Sequence, residues 1–156
     1  MIFYGSRHLT IVVAVFLFST VTLPAPTSSE CYPKFDDIAS RALTSTVVFQ
    51  ARVLRVVSHE GVGPSNATAS VAELFPGRVW KGGVTTDTVT VVVDCSLDAE
   101  VGSEYVVFAV DADGETWTEV APRTTGLLEV VGFPVPVSRR VVRQVNEYAC
   151  ADCRGV

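Results

Sequence analysis

A series of valine-rich runs, each closed by a turn signal, sets the first limit on what this chain can form. Residues 45–57, STVVFQARVLRVV, alternate apolar side chains with Gln50 and Arg52, and Arg55 follows. Strict alternation puts one set of side chains inward and the other outward, so this run reads as a strand with a partly wet face. A second strand is expected over residues 70–80, with a bulge or bend where Pro76-Gly77 interrupts it. Lys81-Gly82-Gly83 is a turn. Residues 87–94, DTVTVVVD, alternate and then become wholly apolar, as a central strand does, and Cys95 closes them. Residues 104–110, EYVVFAV, are the fourth strand. Asp111 to Gly114, DADG, is a hairpin signal, so residues 116–121 are expected to return as a fifth strand. Residues 122–136 read as irregular, with Pro134 and Pro136 among them.

Helical spacing occurs at the two ends of this β region. Residues 32–44 read as an opening turn and short helix, with Phe35, Ile38, Ala39, Ala42 and Leu43 on one stripe. Asp36 and Asp37 in its first turn suit the helix dipole. Ser138 reads as the N-cap of a final helix, SRRVVRQVNEYA, with Val141, Val142, Val145, Tyr148 and Ala149 on its apolar face. Arg139, Arg140 and Arg143 fall outside that face and read as solvated. Five strands with a helix at each end predict a mainly β fold, a five-stranded OB-type barrel with flanking N- and C-terminal helices. A barrel has no free sheet edge to protect. An immunoglobulin-type sandwich is the second choice, but it asks for about seven strands and a Cys–Trp–Cys pattern across its sheets. Trp80 does lie between Cys31 and Cys95, yet Cys31 precedes the first strand.

The first 29 residues are read apart from the fold. Arg7 and His8 precede a run of apolar and small residues from 9 to 23, then PAPTSS follows. This is the pattern of a secretory signal, and the apolar run falls short of the roughly 20 residues a membrane span needs. Small residues at Thr27 and Ser29 place the cut after Ser29. Removing 29 of 156 residues leaves 127, residues 30–156, one domain's worth. No later apolar stretch is long enough to span a bilayer, so a released, extracellular product is expected.

All four cysteines, Cys31, Cys95, Cys150 and Cys153, lie after the signal, and an even count there argues for disulfides. Four cysteines allow three pairings, and the sequence alone does not choose. Zinc would want two close ligand pairs, and only Cys150 and Cys153 are close. Asn66-Ala67-Thr68 is a glycosylation sequon in a Gly/Pro/Ser-rich loop, which makes Asn66 the expected acceptor. With 17 acidic and 11 basic residues after the signal and no run of Lys or Arg, the chain is a poor match for nucleic acid or an anionic membrane.

The segment CSLDAEVGSEYVVFAV, with Cys95, Gly102 and Glu104-Tyr105 before an apolar strand, resembles the netrin-like superfamily. That superfamily includes the tissue inhibitors of metalloproteases and the N-terminal domain of agrin, and its fold is an OB-type barrel with flanking helices. A narrower resemblance covers residues 31–153, to the N-terminal kringle-like segment of the long, glial-growth-factor-type neuregulins. Cys31-Tyr32, VVFQARV, the sequon loop, RVWKGG, DTVTVVVDC, EYVVFAVDADG and Cys150-x-x-Cys153 carry it in order. The resemblance implies a bridge from Cys31 to Cys95. Cys150 and Cys153 would then pair with each other, or one would take an external partner. Neuregulin receptor signalling resides in a six-cysteine EGF-like module, which these residues do not contain, so growth-factor activity is not implied.

Nothing in the pattern points to catalysis, and no cofactor or metal is expected. His59 is the only histidine after the signal and is expected in a flexible loop, so a Ser/His or Cys/His arrangement has no support. Asp36/Asp37 read as helix-start charge and Asp111/Asp113 as turn residues. Asp111-x-Asp113-Gly114 lacks the downstream glutamate of a calcium loop. The expected role is a non-catalytic extracellular module that binds a matrix or cell-surface protein, as agrin's domain binds laminin. Tyr32, Trp80 and Trp117 are its candidate anchors, with core packing the plainer reading of both tryptophans. The alternative is metalloprotease inhibition, in which the resemblance implies that the free amine and carbonyl of Cys31 chelate the protease zinc. The start Cys31-Tyr32-Pro33 lacks the second cysteine of that family's Cys-x-Cys opening, and Glu30 ahead of Cys31 would turn the amine into an amide.

Overall fold

A computed structural model describes residues 37–62, 64, 68–84, 87–122, 124–132 and 134–149. The elements run α1 (Ile38–Thr44), β1 (Val47–Glu60), β2 (Thr68–Lys81), β3 (Val89–Val93), β4 (Glu104–Asp111), β5 (Leu128–Val130), β6 (Val135–Pro136) and α2 (Arg139–Tyr148). The strands pair in the order β1-β2-β3-β5-β4, and β4 returns to β1, so five strands close into a barrel. All of these pairings are antiparallel except β3 with β5. That is the strand order of an OB-type barrel, and α1 and α2 precede and follow it. The short β6 adds to the far side of β4.

Closure depends on β1, whose 14 residues are long enough to serve two neighbours. Its first half, Val47 to Arg52, pairs with β4, while Val48 to Glu60 pair with β2. A strand that serves both must bend, and β1 and β2 carry three register shifts along their ladder. One lies opposite Pro76-Gly77, where the interruption predicts it: Phe49 faces Val79 and Ala51 faces Pro76.

Three apolar clusters follow from the alternation. Inside the barrel lie Phe49, Ala51, Val53, Leu74, Val91, Val93, Val107, Ala109 and Leu128 among others. The opposite face of β1 and β4 presents Val48, Val106 and Phe108 to the helices, where Val141, Val145, Ala42 and Trp80 meet them. The opposite face of β3 presents Val92 to Trp117, Val120, Ala121 and Leu127. The apolar end of DTVTVVVD thus has a simple cause: Val91 and Val93 point into the barrel while Val92 is covered from outside.

Several expectations need correction. Residues 116–121 are not a strand, and DADG is not a hairpin. Asp113 opens a helical turn instead: its carboxylate accepts the Glu115 N–H (3.0 Å) and the Thr116 hydroxyl (2.9 Å). The Trp117 N–H reaches the Asp113 carbonyl and the Ala121 N–H reaches that of Trp117. Trp117, Val120 and Ala121 then share one buried face at helical spacing. The fifth barrel strand is β5, within the stretch read as irregular. In the helices, Leu43 and Tyr148, expected on apolar faces, are exposed and Arg41 is buried, while Asp37 is the N-cap of α1 rather than a first-turn residue and Phe35 and Asp36 lie outside the described residues.

The loop after β3 is fastened rather than open. The Leu97 N–H donates to the buried Ser70 hydroxyl (2.9 Å), and Gly102 and Ser103 exchange backbone bonds with Val53. The Tyr105 hydroxyl accepts the Glu100 N–H (3.1 Å). Cys95, at the head of this loop, is buried at 2% exposure.

Candidate interaction surface

The end of β2 and the outer side of α2 build the most distinctive surface among the described residues. Trp80 turns its ring into the cluster under the helices, which leaves its indole N–H to be satisfied. It donates to the Asn146 Oδ1 on α2 (2.7 Å). Arg78, two residues earlier and so on the same side of β2, donates to the same oxygen (3.3 Å). The Arg78 guanidinium carbon lies 5.1 Å from the Trp80 ring centroid, within cation–π range. One amide oxygen thus holds both side chains.

Along α2, Arg139, Val142, Arg143 and Asn146 follow one another at intervals of three, one and three and form a single stripe. With Val137 and Ser138 they line an open depression of about 620 Å³. Its floor is apolar, from Val137 and Val142, and its rim carries Arg139 and Arg143. Ser138 starts the helix there: its hydroxyl accepts the Val141 N–H (3.2 Å). Two ion pairs, Arg52–Glu104 (3.2 Å) and Arg55–Glu73 (3.6 Å), lie on the barrel wall and involve none of these arginines.

Tyr32, Cys31, Asn66, Cys150 and Cys153 lie outside the described residues. The two tryptophans offered as anchors are in the core, Trp117 at 0% and Trp80 at 7% exposure, so neither presents a face to a partner. The Trp117 indole N–H donates to the Glu129 Oε2 (3.3 Å). Asp37 caps α1 and Asp113 caps the helical turn. His59, expected in a loop, lies inside β1, paired in register with Ala69. Among the described residues no three metal-ligating side chains converge, and no helix is long and apolar enough to cross a membrane. The pairing of Arg78 with Asn146 spans 68 positions, and no local pattern announces it.

No protein-family model matches this sequence, and no curated protein matches it either.

Proposed function

We propose that this chain is a secreted, netrin-like module that works by binding an extracellular protein and performs no catalysis. The observation that carries the reading is the buried Cys95, two residues past the third strand of an OB-type barrel. The resembling superfamily has a cysteine at that point, joined to one at the start of the domain. The signal-like residues 9–23 and the sequon at Asn66 fit the same compartment. In this reading the barrel is a rigid frame. The helices cover one side of it, and their outer surface meets the partner.

The test is expression of the full chain in secretory cells. Recovery from the medium, N-terminal sequencing, non-reduced peptide mapping and binding to decellularised matrix and intact cells are then measured. A product that begins at Glu30, joins Cys31 to Cys95 and binds saturably supports the module. Retention inside the cell, or a secreted product that binds neither surface, rejects it. A product that begins at Cys31 with a free amine and blocks a metalloprotease transfers the function to inhibition.

A further inference from the structure

We infer that the depression along α2 is a docking site for an acidic, amphipathic segment of a partner protein. The inference rests on the protein-binding reading above and assigns it a surface and a chemistry. The first argument is charge. The chain has 17 acidic and 12 basic residues, yet Arg139 and Arg143 line the depression, Arg140 is next to Arg139 on α2, and Arg78 is bonded to the Asn146 that also lines it. Arg139, Arg140 and Arg143 are exposed, and neither of the ion pairs on the barrel wall involves any of the four.

The second argument is that the start of α2 gains nothing internally from its two arginines, although Glu147 stands four residues after Arg143. Arg139 and Arg140 occupy its first turn, where the helix dipole favours acidic residues, and none is there. Arg139 and Arg143 are a like-charged pair at spacing four, which opposes the helix. An anionic partner would relieve both conflicts. The third argument is preorganisation. Arg78 is fixed by Asn146 and by the Trp80 face, so little freedom is lost when it meets a carboxylate.

The floor decides between anions. Val137 and Val142 offer apolar surface to a side chain, which a sulfated glycan or a nucleic acid strand does not supply. A long polyanion would also run beyond the arginines onto an otherwise acidic protein. A segment with carboxylates on either side of one apolar residue fits both the rim and the floor.

The experiment uses the secreted full chain and a labelled synthetic peptide of alternating glutamate and leucine, followed by fluorescence anisotropy. Saturable binding that weakens with salt is expected. The double variant Arg139→Ala/Arg143→Ala should weaken it roughly tenfold, with an unfolding midpoint no lower than that of the unaltered protein. Arg55→Ala, on the barrel wall beside Glu73, should leave binding unchanged. A peptide with glutamine in place of glutamate should bind at least as weakly as the double variant does. Absence of saturable binding, equal binding by the double variant, or tighter binding of a heparin fragment each overturns the proposal. Matrix binding without peptide binding removes this surface and leaves the module standing; loss of both removes both.

Discussion

Gly82 ends β2 with φ +71°, a backbone region that L side chains rarely adopt. A Cβ there would lie 2.5 Å from the Thr46 carbonyl oxygen and 3.2 Å from the Val47 Cα, both backbone atoms at the start of β1. Neither can move without pulling β1 from β4. Gly61 has a similar φ, +69°, but open space around its missing Cβ. The two positions therefore separate conformational strain from contact. Gly61→Ala should cost about 1 kcal/mol, from the left-handed backbone alone. Gly82→Ala should cost about 2 kcal/mol more, because the contact adds to the strain. Urea unfolding of the two variants measures the difference, and equal costs would show that the β2–β1 approach yields easily. Asp37 gives a second residue-scale prediction. The Ser40 hydroxyl, and then the Ser40 N–H, donate to its carboxylate (both 2.7 Å) and hold its pKa below the ordinary value. A carboxyl with a depressed folded pKa contributes stability above its unfolded value and loses it as pH falls through the folded one. The contribution should therefore fade below about pH 4. Asp37→Asn keeps an oxygen for the cap but cannot titrate there. Its unfolding midpoint should depend less on pH in that range than the unaltered protein's, and parallel pH curves would argue that Asp37 contributes nothing through its charge.

The helical turn after Asp113 covers the outer face of β3, and its anchor is Trp117. The side chain is fully buried against Ala69, Val92, Val120, Ala121 and Leu127, and its indole N–H is satisfied by Glu129 on β5. Trp117→Ala should cost about 3–5 kcal/mol. Trp117→Phe keeps most of the apolar volume and loses the hydrogen bond, so it should cost clearly less. Chemical denaturation of both variants gives the comparison, and a cheap Trp117→Ala would mean that this turn is not part of the cooperative core. The same segment explains what was legible beforehand. Four strands could be read because their β-branched residues alternate over five or more positions, and α2 because its valines recur at helical spacing beside a serine cap. Residues 116–121 are ambiguous at short range. Trp117, Val120 and Ala121 fit a helical face, but threonines beside the tryptophan also suit a strand, and DADG ahead of them suits a hairpin. β5 has three residues, too few for any period to show, and its place in the barrel comes from β3 and β4 on either side. The surface on α2 was half legible. Exposure of Arg139 and Arg143 follows from the helical period, whereas the contribution of Arg78 depends on β2 ending beside Asn146.

At the scale of the whole molecule the barrel has an uneven seam. β1 shares a long ladder with β2, but β5 joins β3 through two paired positions and β4 through three. Whatever fixes the end of β3 therefore helps to keep the barrel closed, and Cys95 lies there, packed against the interior cluster. A bridge from Cys31 to Cys95 would tie the start of the domain to this seam. Closing a loop of that length removes unfolded-state freedom worth about 4 kcal/mol in the chain-entropy argument, a large share of the roughly 5–15 kcal/mol that a domain holds in total. Cys31→Ser and Cys95→Ala should then each lower secretion to a similar degree. Alanine is the better change at position 95, since a serine hydroxyl would add the cost of a buried polar group. The decisive comparison is the double variant. Two cysteines of one bridge act as a unit, so the double should be no worse than either single, whereas independent contributions would add. Secretion measured by quantitative blotting, with thermal unfolding of whatever is recovered, separates the two cases. Additive losses, or normal secretion of one single variant only, would break the pairing and with it the strongest link between this barrel and the netrin-like reading.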